Sequence, residues 1–141
     1  MTVPQIVIDT NVIVAGLRSD KGAAFLLLER IGTESFDMHL SVPLVIEYQD
    51  VLSRSSSAVM LTPDQIENLL DFYCSVSNQH LIFFLWRPFL VDSKDDMVLE
   101  LAVKAGCDYI ITYNARDFKG IEKFGIKIMT PGDFLKLIGV L

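Results

Sequence analysis

The sequence contains only two cysteines and two histidines, and it has no long apolar run. Cys74 and Cys107 are too few for a disulfide framework and too far apart for a metal knuckle, so both are expected to be reduced. The longest apolar run, residues 81–86, is much shorter than the ~20 residues of a membrane span. The opening residues lack the basic-then-apolar order of a signal peptide. We therefore expect a cytoplasmic protein with no membrane partner.

Motifs of several enzyme classes are also absent from the sequence. There is no glycine-rich phosphate loop, no Ser-His-Asp set and no setting for a cysteine nucleophile. His39 and His80 follow no metal-ligand spacing and are interpreted as structural residues. The acidic side chains are therefore the first candidates for chemistry.

Basic residues are fewer than acidic ones, 12 against 18, and the formal net charge is −6 with a pI of about 4.7. This balance disfavours a nucleic-acid partner, because contacts to phosphate need lysine and arginine. That argument fails if clustered carboxylates bind a divalent cation, since the ion inverts the local charge. Net charge alone therefore leaves a nucleic-acid partner open.

The length of 141 residues suits one compact domain, residues 1–141, with a single core. Hydrophobic residues make up 51% of the chain and the mean hydropathy is +0.40, high for a soluble protein. Such a composition indicates well-buried elements and an apolar face between subunits. We therefore expect a homodimer.

Strand and helix patterns alternate along the chain. Short apolar strands are predicted at residues 5–9, 38–43, 80–86, 108–112 and 126–129, and helices at residues 22–32, 44–54, 62–77, 95–106 and 130–141. The third helix has a capping box, with Thr62 as cap, Pro63 in the first turn and Gln65 as partner. The alternation implies right-handed crossovers and an α/β fold, a three-layer α/β/α sandwich with a mainly parallel central sheet.

Acidic and amide side chains follow the ends of several predicted strands, where open parallel sheets form their sites. They are Asp9, Asn11, Glu47, Asp92, Asp95, Asp96, Asn114 and Asp117. Any one aspartate here is well explained as a helix cap, Asp92 above all, and Glu47 alone as a solvated helix carboxylate. The coincidence of four acidic positions on one sheet edge is not explained by capping.

Helical spacing separates the two neighbouring acids of the fourth predicted helix. Asp95 lies three and seven positions before Val98 and Ala102, so it heads the stripe that faces the sheet. Asp96 shares its side with Glu100 and is expected on a solvated face. Asp95 is therefore the better site candidate of the two.

Carboxylates that face one another repel, and some become neutral unless a cation is present. Oxygen ligands without histidine or cysteine clusters suit Mg²⁺ or Mn²⁺. Such a site activates water and stabilises the charge that builds on a phosphate. The acidic positions therefore predict a site for phosphoester chemistry.

Three segments carry a family resemblance: VIDTNVIVAGL at residues 7–17, SVPLVIEYQDVL at residues 41–52, and DSKDDMVLELAVKAGCDYIITYNARDF at residues 92–118. Their order and spacing resemble those of the PIN-domain ribonucleases over nearly the whole chain. The sequence is most similar to bacterial and archaeal members described as toxins of toxin–antitoxin pairs. The resemblance implies a PIN-like fold, cleavage of single-stranded RNA with Mg²⁺ or Mn²⁺, and a cognate antitoxin.

The resemblance also implies residue roles. The catalytic metal ligands are Asp9, Glu47, Asp95 and Asp117, and the supporting residues are Asn11, Asp92, Asp96, Thr112 and Asn114. Many relatives read T-G-D where this chain has Thr112-Tyr113-Asn114. Because Asn114 is neutral, the fourth charge comes from Asp117, or the site has only three.

Four basic residues are candidates for contact with RNA phosphate. Arg18 and Lys21 lie in a predicted loop after the first strand, and Arg116 and Lys119 begin the densest basic stretch. Solvated surface charge is an equally good interpretation of each pair.

Two other classes of protein stay open on these residues. A signalling receiver domain also has an acidic Mg²⁺ pocket, but it needs an acid pair after the first strand, where only Asp9 stands. A D-x-D phosphatase fails similarly, because Asn11 occupies the second acid position. A PIN-fold interaction module that has lost its chemistry is the closer alternative, because Asn114 replaces an acid.

Overall fold

A computed structural model describes residues 2–81 and 89–141. Its strands and helices, in chain order, are β1 (Gln5–Ile8), α1 (Thr10–Arg18), α2 (Ala23–Glu29), β2 (Asp37–Ser41), α3 (Val42–Leu52), α4 (Pro63–Val76), β3 (Asn78–His80), α5 (Ser93–Lys104), β4 (Tyr109–Ile111), β5 (Lys127–Met129) and α6 (Pro131–Leu137). Short 3₁₀ turns lie at Ser55–Ser57, Ala115–Phe118 and Ile121–Phe124. Of the strand predicted at residues 80–86, residues 82–86 lie outside the described part of the chain.

The five strands form one sheet in the order β3-β2-β1-β4-β5, and every described strand pair is parallel. The central strand β1 is a β-branched run whose Ile6, Val7 and Ile8 are completely buried, as expected for a strand covered on both faces. Right-handed crossovers place α1 to α4 on one face and α5 on the other, where α5 packs across β2, β1 and β4. The predicted α/β fold class is confirmed.

The strand order reverses at β1. The chain moves outwards from β1 to β2 and β3, then returns to place β4 and β5 on the other side of β1. In sheets of this kind the ligand crevice lies beyond the carboxyl ends of the strands at the reversal. The topology therefore points to the ends of β1 and β4.

Helix α1 was not predicted. The interpretation placed a loop after the first strand, but a helix starts there at once, with Asp9 as its N-cap accepting a hydrogen bond from the Thr10 amide at 2.9 Å. Gly16 lets α2 come close, since a Cβ at that position lies 2.4 Å from Leu28 Cδ1. The sequence pattern did not indicate this helix, because the run NVIVAGL contains several β-branched residues, which favour strands.

Helix starts set the positions of the other acids. Ser41 caps α3 through the Leu44 amide, so α3 begins at Val42 and Glu47 lies in its second turn. Asp92 caps α5 by accepting from the Lys94 amide at 2.8 Å, which confirms that prediction. The capping box of Thr62 and Gln65 on α4 is also confirmed.

The two histidines link β2 to the edge strand β3. His39 Nδ1 lies 2.8 Å from His80 Nε2, and His39 Nε2 lies 2.6 Å from Gln5 Oε1. This hydrogen bonding is consistent with the structural role predicted for both. No helix in residues 2–81 and 89–141 has the length and apolar character that crossing a membrane requires.

Candidate functional site

The ends of β1 and β4 bring two distant parts of the chain together. Ile8 pairs with Ile111, and the Asp9 amide extends the ladder by donating to the Ile111 carbonyl at 2.9 Å. The Thr112 amide continues it on the other side, donating to the Met129 carbonyl at 3.0 Å. The side chains of Asp9 and Thr112 therefore meet at the strand reversal.

Asp9 is a buried carboxylate, only 7% exposed, with both oxygens engaged. Oδ1 accepts from the Thr10 amide, and Oδ2 accepts from the Thr112 hydroxyl at 2.8 Å and from Asn11 Nδ2 at 3.1 Å. Donors on two sides hold the carboxylate in one orientation. The supporting role implied for Asn11 and Thr112 has this geometric basis.

Thr112 is completely buried and joins three segments. Besides donating to Asp9, its hydroxyl oxygen accepts from Asn11 Nδ2 at 3.1 Å and from the Asn114 amide at 3.0 Å. Asn11 Oδ1 in turn accepts from the Tyr113 amide at 3.1 Å. The first turn of α1 and the turn after β4 are thus locked together, and Asn114 takes part through its backbone.

Glu47 approaches from α3 and is held by two groups that the sequence interpretation missed. Its Oε2 accepts from the Thr10 hydroxyl at 2.7 Å, and its Oε1 lies 3.7 Å from Lys94 Nζ. The next residue, Tyr48, is completely buried and donates its hydroxyl to the Ile8 carbonyl, which ties α3 to the end of β1. Nothing in the local sequence pattern indicates this role of Tyr48.

Five of the six acidic candidates line one cleft of about 460 Å³ at this edge of the sheet. The candidate residues among its lining are Asp9, Asn11, Arg18, Glu47, Asp92, Asp95, Asn114 and Asp117. Asp117 reaches it from the 3₁₀ turn Ala115–Phe118, which the buried ring of Phe118 anchors in the core. The structure thus brings together the four acids that the resemblance implied as ligands.

The carboxylates of this cleft disturb one another's ionisation. Burial raises the pKa of Asp9 above its usual value, with the charges of Glu47 and Asp117 adding to the rise against the hydrogen bonds that lower it. The pKa of Asp95 is raised to about 7, first by burial and then by the charges of Asp9, Asp117, Asp92 and Glu47. Burial disfavours the charged form of both carboxyls, and the neighbouring acids add to the effect.

A hard divalent cation fits this donor set, because every candidate ligand is an oxygen. Within residues 2–81 and 89–141, no three acidic, histidine or cysteine side chains already stand close enough to hold an ion together. Lys94, beside Glu47, supplies part of the compensating charge.

Asp96 does not lie on a solvated face, and that prediction is wrong. It is half-buried, and its Oδ1 accepts from the backbone amides of Phe89 and Leu90 at 3.1 and 2.8 Å. Glu100, which was placed on the same solvated face, is only 5% exposed. Asp96 therefore holds the segment that leads into α5, and it does not line the acid cleft.

The four basic candidates separate into two groups. Arg18 belongs to the last turn of α1, not to a loop, and lines the acid cleft. Arg116 and Lys119 line an adjoining pocket that shares Asp95 and Asp117 with the cleft. Lys21 lies in a surface hollow beside α1 that shares Arg18 with the cleft, and Lys21 is not part of the cleft lining.

The raised pKa of Asp95 predicts a pH dependence of stability. A carboxyl whose pKa rises on folding binds more protons folded than unfolded, so stability falls as pH rises from its ordinary value of 3.8 through about 7. Metal-free wild type should therefore lose melting temperature, relative to Asp95→Asn, between pH 5 and pH 8. Thermal melts of both proteins in chelator test this, and a constant difference between them contradicts it.

Comparison with known proteins identifies the family. The family model described as PIN domain matches residues 5–116, well over half of the chain. The chain therefore belongs to the PIN domain family. No curated protein matches the chain.

A solved structure shows the same fold. In the crystal structure of VapBC2 from Rickettsia felis bound to a DNA fragment from their promoter, one chain is similar to this one with a TM-score of 0.59. The match covers 89% of this chain and 98% of that chain, with 14% sequence identity. At 14% identity this similarity establishes the fold and not the activity.

Proposed function

We propose that this protein is an endoribonuclease that cleaves single-stranded RNA and depends on Mg²⁺ or Mn²⁺. One observation carries the proposal: Asp9, Glu47, Asp95 and Asp117 line one cleft at the strand reversal. Capping accounts for Asp9 and Asp92 singly, but it does not account for acids from four separate segments in one place. Membership of the PIN domain family supports the same conclusion.

Each side chain of the cleft has a distinct role in the proposed reaction. Asp9, Glu47, Asp95 and Asp117 hold the cation, which when bound supplies positive charge to the phosphate and acidifies water. Asn11 and Thr112 orient Asp9, and Thr10 orients Glu47. Arg18, at the rim of the cleft, contacts RNA phosphate and offsets the negative charge of the acids.

The test is cleavage of unstructured RNA by purified protein. Cleavage products should appear with Mn²⁺ or Mg²⁺ and disappear when a chelator removes the metal. The acidic side chains repel the phosphate of RNA, and a bound cation offsets this repulsion. The matched control for contaminating nuclease is the same preparation of Asp9→Asn. Equal cleavage by both preparations contradicts the proposal.

We further propose that the protein is cytoplasmic and is the toxin of a toxin–antitoxin pair. The sequence resemblance supports this, as does the fold shared with a chain of the VapBC2 structure. We also propose a homodimer, on the strength of apolar side chains left exposed, such as Val42 and Ile46 on α3. Sedimentation that finds only monomer at micromolar concentration contradicts the dimer.

The second candidate function is an interaction module of the same fold without chemistry. Asn114 favours it, because it supplies no charge where many relatives have an acid. Pure protein that shows neither cleavage of diverse RNAs nor a thermal response to Mn²⁺ supports the module over the nuclease.

A further inference from the structure

A second pocket of about 400 Å³ opens beside the acid cleft. It shares Asp92, Asp95 and Asp117 with the cleft, so a ligand held at the acids extends into it directly. Its other walls are of different chemistry. They consist of Phe89, Leu90, Val91, Arg116 and Lys119. An aromatic ring and two cations thus face the same space next to the acids.

The ring of Phe89 is held in place although it lies before α5 and outside any regular element. Asp96 fixes its backbone through the hydrogen bonds to the amides of Phe89 and Leu90. Lys123 Nζ lies 4.4 Å from the ring centroid, and the ring of Phe124 meets it edge-on at 5.3 Å. Neither Lys123 nor Phe124 belongs to the described lining of the pocket. They support the ring from outside and leave Phe89 37% exposed.

The turn that contains Gly120 packs closely against the Phe89 ring. Gly120 has φ +85°, a conformation that favours glycine, and a Cβ at that position lies 3.3 Å from Phe89 Cζ. Contacts from Asp96, Lys123, Phe124 and Gly120 therefore define one position for the ring. The ring is therefore fixed in position and still partly exposed.

We propose that this pocket binds one nucleotide of single-stranded RNA, the one next to the phosphate held at the acids. Its base packs on the Phe89 ring, and its phosphate contacts Arg116 and Lys119. The chemistry of the lining supports this occupant, because Arg116 and Lys119 are side chains that bind phosphate and Phe89 is one on which a base packs. The inference rests on the proposed nuclease function and adds a substrate requirement: the base must be unstacked to enter.

The experiment is a double-mutant cycle on affinity, measured with Mn²⁺ on RNA whose linkages resist hydrolysis, so that the metal offsets the charge of the acids and cleavage does not interfere. The Kd of a fluorescent eight-nucleotide RNA and of the same strand without bases is measured by anisotropy. Phe89→Ala should weaken binding of the normal strand by roughly 5- to 100-fold, the range for loss of one base–aromatic stack. It should leave the abasic strand unchanged. Phe89→Leu keeps an apolar side chain and should show a smaller loss of the same kind.

The matched control is Phe72→Leu, since Phe72 is similarly exposed, at 46%, but lies on α4 away from the pocket. It should change neither affinity. For the phosphate contacts, Lys119→Gln should reduce the salt slope of log Kd by roughly 0.7, the value for one contact on a single strand. Lys136→Gln, an exposed lysine on α6, should leave the slope unchanged.

The outcomes separate this proposal from the nuclease proposal. Base-dependent binding that needs Phe89, without cleavage under any metal, supports the pocket and contradicts the nuclease. Cleavage that needs Asp9 with unchanged affinity in Phe89→Ala supports the nuclease and overturns the pocket. Equal weakening of both strands overturns the base contact. Binding of a protein partner that is lost in Phe89→Leu, with RNA affinity intact, overturns the RNA assignment in favour of a protein-docking surface.

Discussion

Asp9→Asn is expected to abolish RNA cleavage and, in the same protein, to raise the melting temperature measured without metal. Its carboxylate is buried and its pKa is raised by burial and by neighbouring acids, so removing its charge relieves repulsion. Asparagine keeps an oxygen for the Thr10 amide and caps a helix about as well as aspartate. Its amide nitrogen replaces the oxygen that accepts from Thr112 and Asn11, so the loss of those two hydrogen bonds limits the rise in melting temperature. Loss of an anionic ligand weakens a catalytic effect worth several kcal/mol, so the rate should fall at least roughly 100-fold.

Added Mn²⁺ should affect the melting temperatures of wild type and Asp9→Asn differently. At about 100 times its Kd, Mn²⁺ stabilises wild type by about 2.7 kcal/mol through mass action. In a chain of this length that corresponds to a rise on the order of 10 °C. Asp9→Asn should show a much smaller rise, and Asp71→Asn, an exposed acid on α4, should behave as wild type. Equal metal-induced shifts in wild type and Asp9→Asn contradict a shared site.

Asp95→Asn and Asp96→Ala are expected to have opposite effects on the melting temperature and on the response to Mn²⁺, although the two residues are adjacent. Asp95 lines the acid cleft and has a pKa of about 7, so Asp95→Asn should raise the metal-free melting temperature and remove the response to Mn²⁺. Asp96 makes two hydrogen bonds to backbone amides, each worth about 1.5–3 kcal/mol for a charged acceptor. Asp96→Ala should therefore lower the melting temperature by roughly 10 °C or more and keep the response to Mn²⁺.

Asp96→Asn is the internal control for this comparison. It removes the charge but keeps a side-chain oxygen for the amides of Phe89 and Leu90, so its effects on melting temperature and metal response should be small. Differential scanning fluorimetry of the three variants, with and without Mn²⁺, measures all of these effects. If Asp96→Asn loses the metal response while Asp95→Asn retains it, the roles assigned to the two residues are reversed.

Much of the fold could be predicted because its signals are local. The strand β1 is a β-branched run, and the start of α4 has a complete capping box, so each is specified within a few residues. Helix α1 was missed for the same reason, since its residues locally favour a strand. It forms because Asp9 caps it at the end of β1 and because Gly16 lets it pack closely on α2. Tertiary packing there overrides local preference.

Part of the site depended on contacts that no local pattern contains. The hydrogen bond from Thr112 to Asp9 spans 103 positions in sequence and exists because β1 and β4 are neighbours. Helical phase favoured Asp95 as the site acid, and Asp95 does line the cleft, but the same reasoning put Asp96 in solvent. The phase argument considers only the helix itself, whereas the segment before α5 folds back onto Asp96 and buries it.

The sequence by itself determined the chemistry available to this protein: oxygen ligands, no histidine or cysteine cluster, and acids placed after strands. It also determined the α/β architecture, because alternating short apolar strands and amphipathic helices leave few other ways to bury their apolar faces. Only the tertiary structure decided which acids share one cleft and which side chains orient them. The physical reason is that a strand reversal joins segments distant in sequence, and their mutual distances follow from sheet order and register.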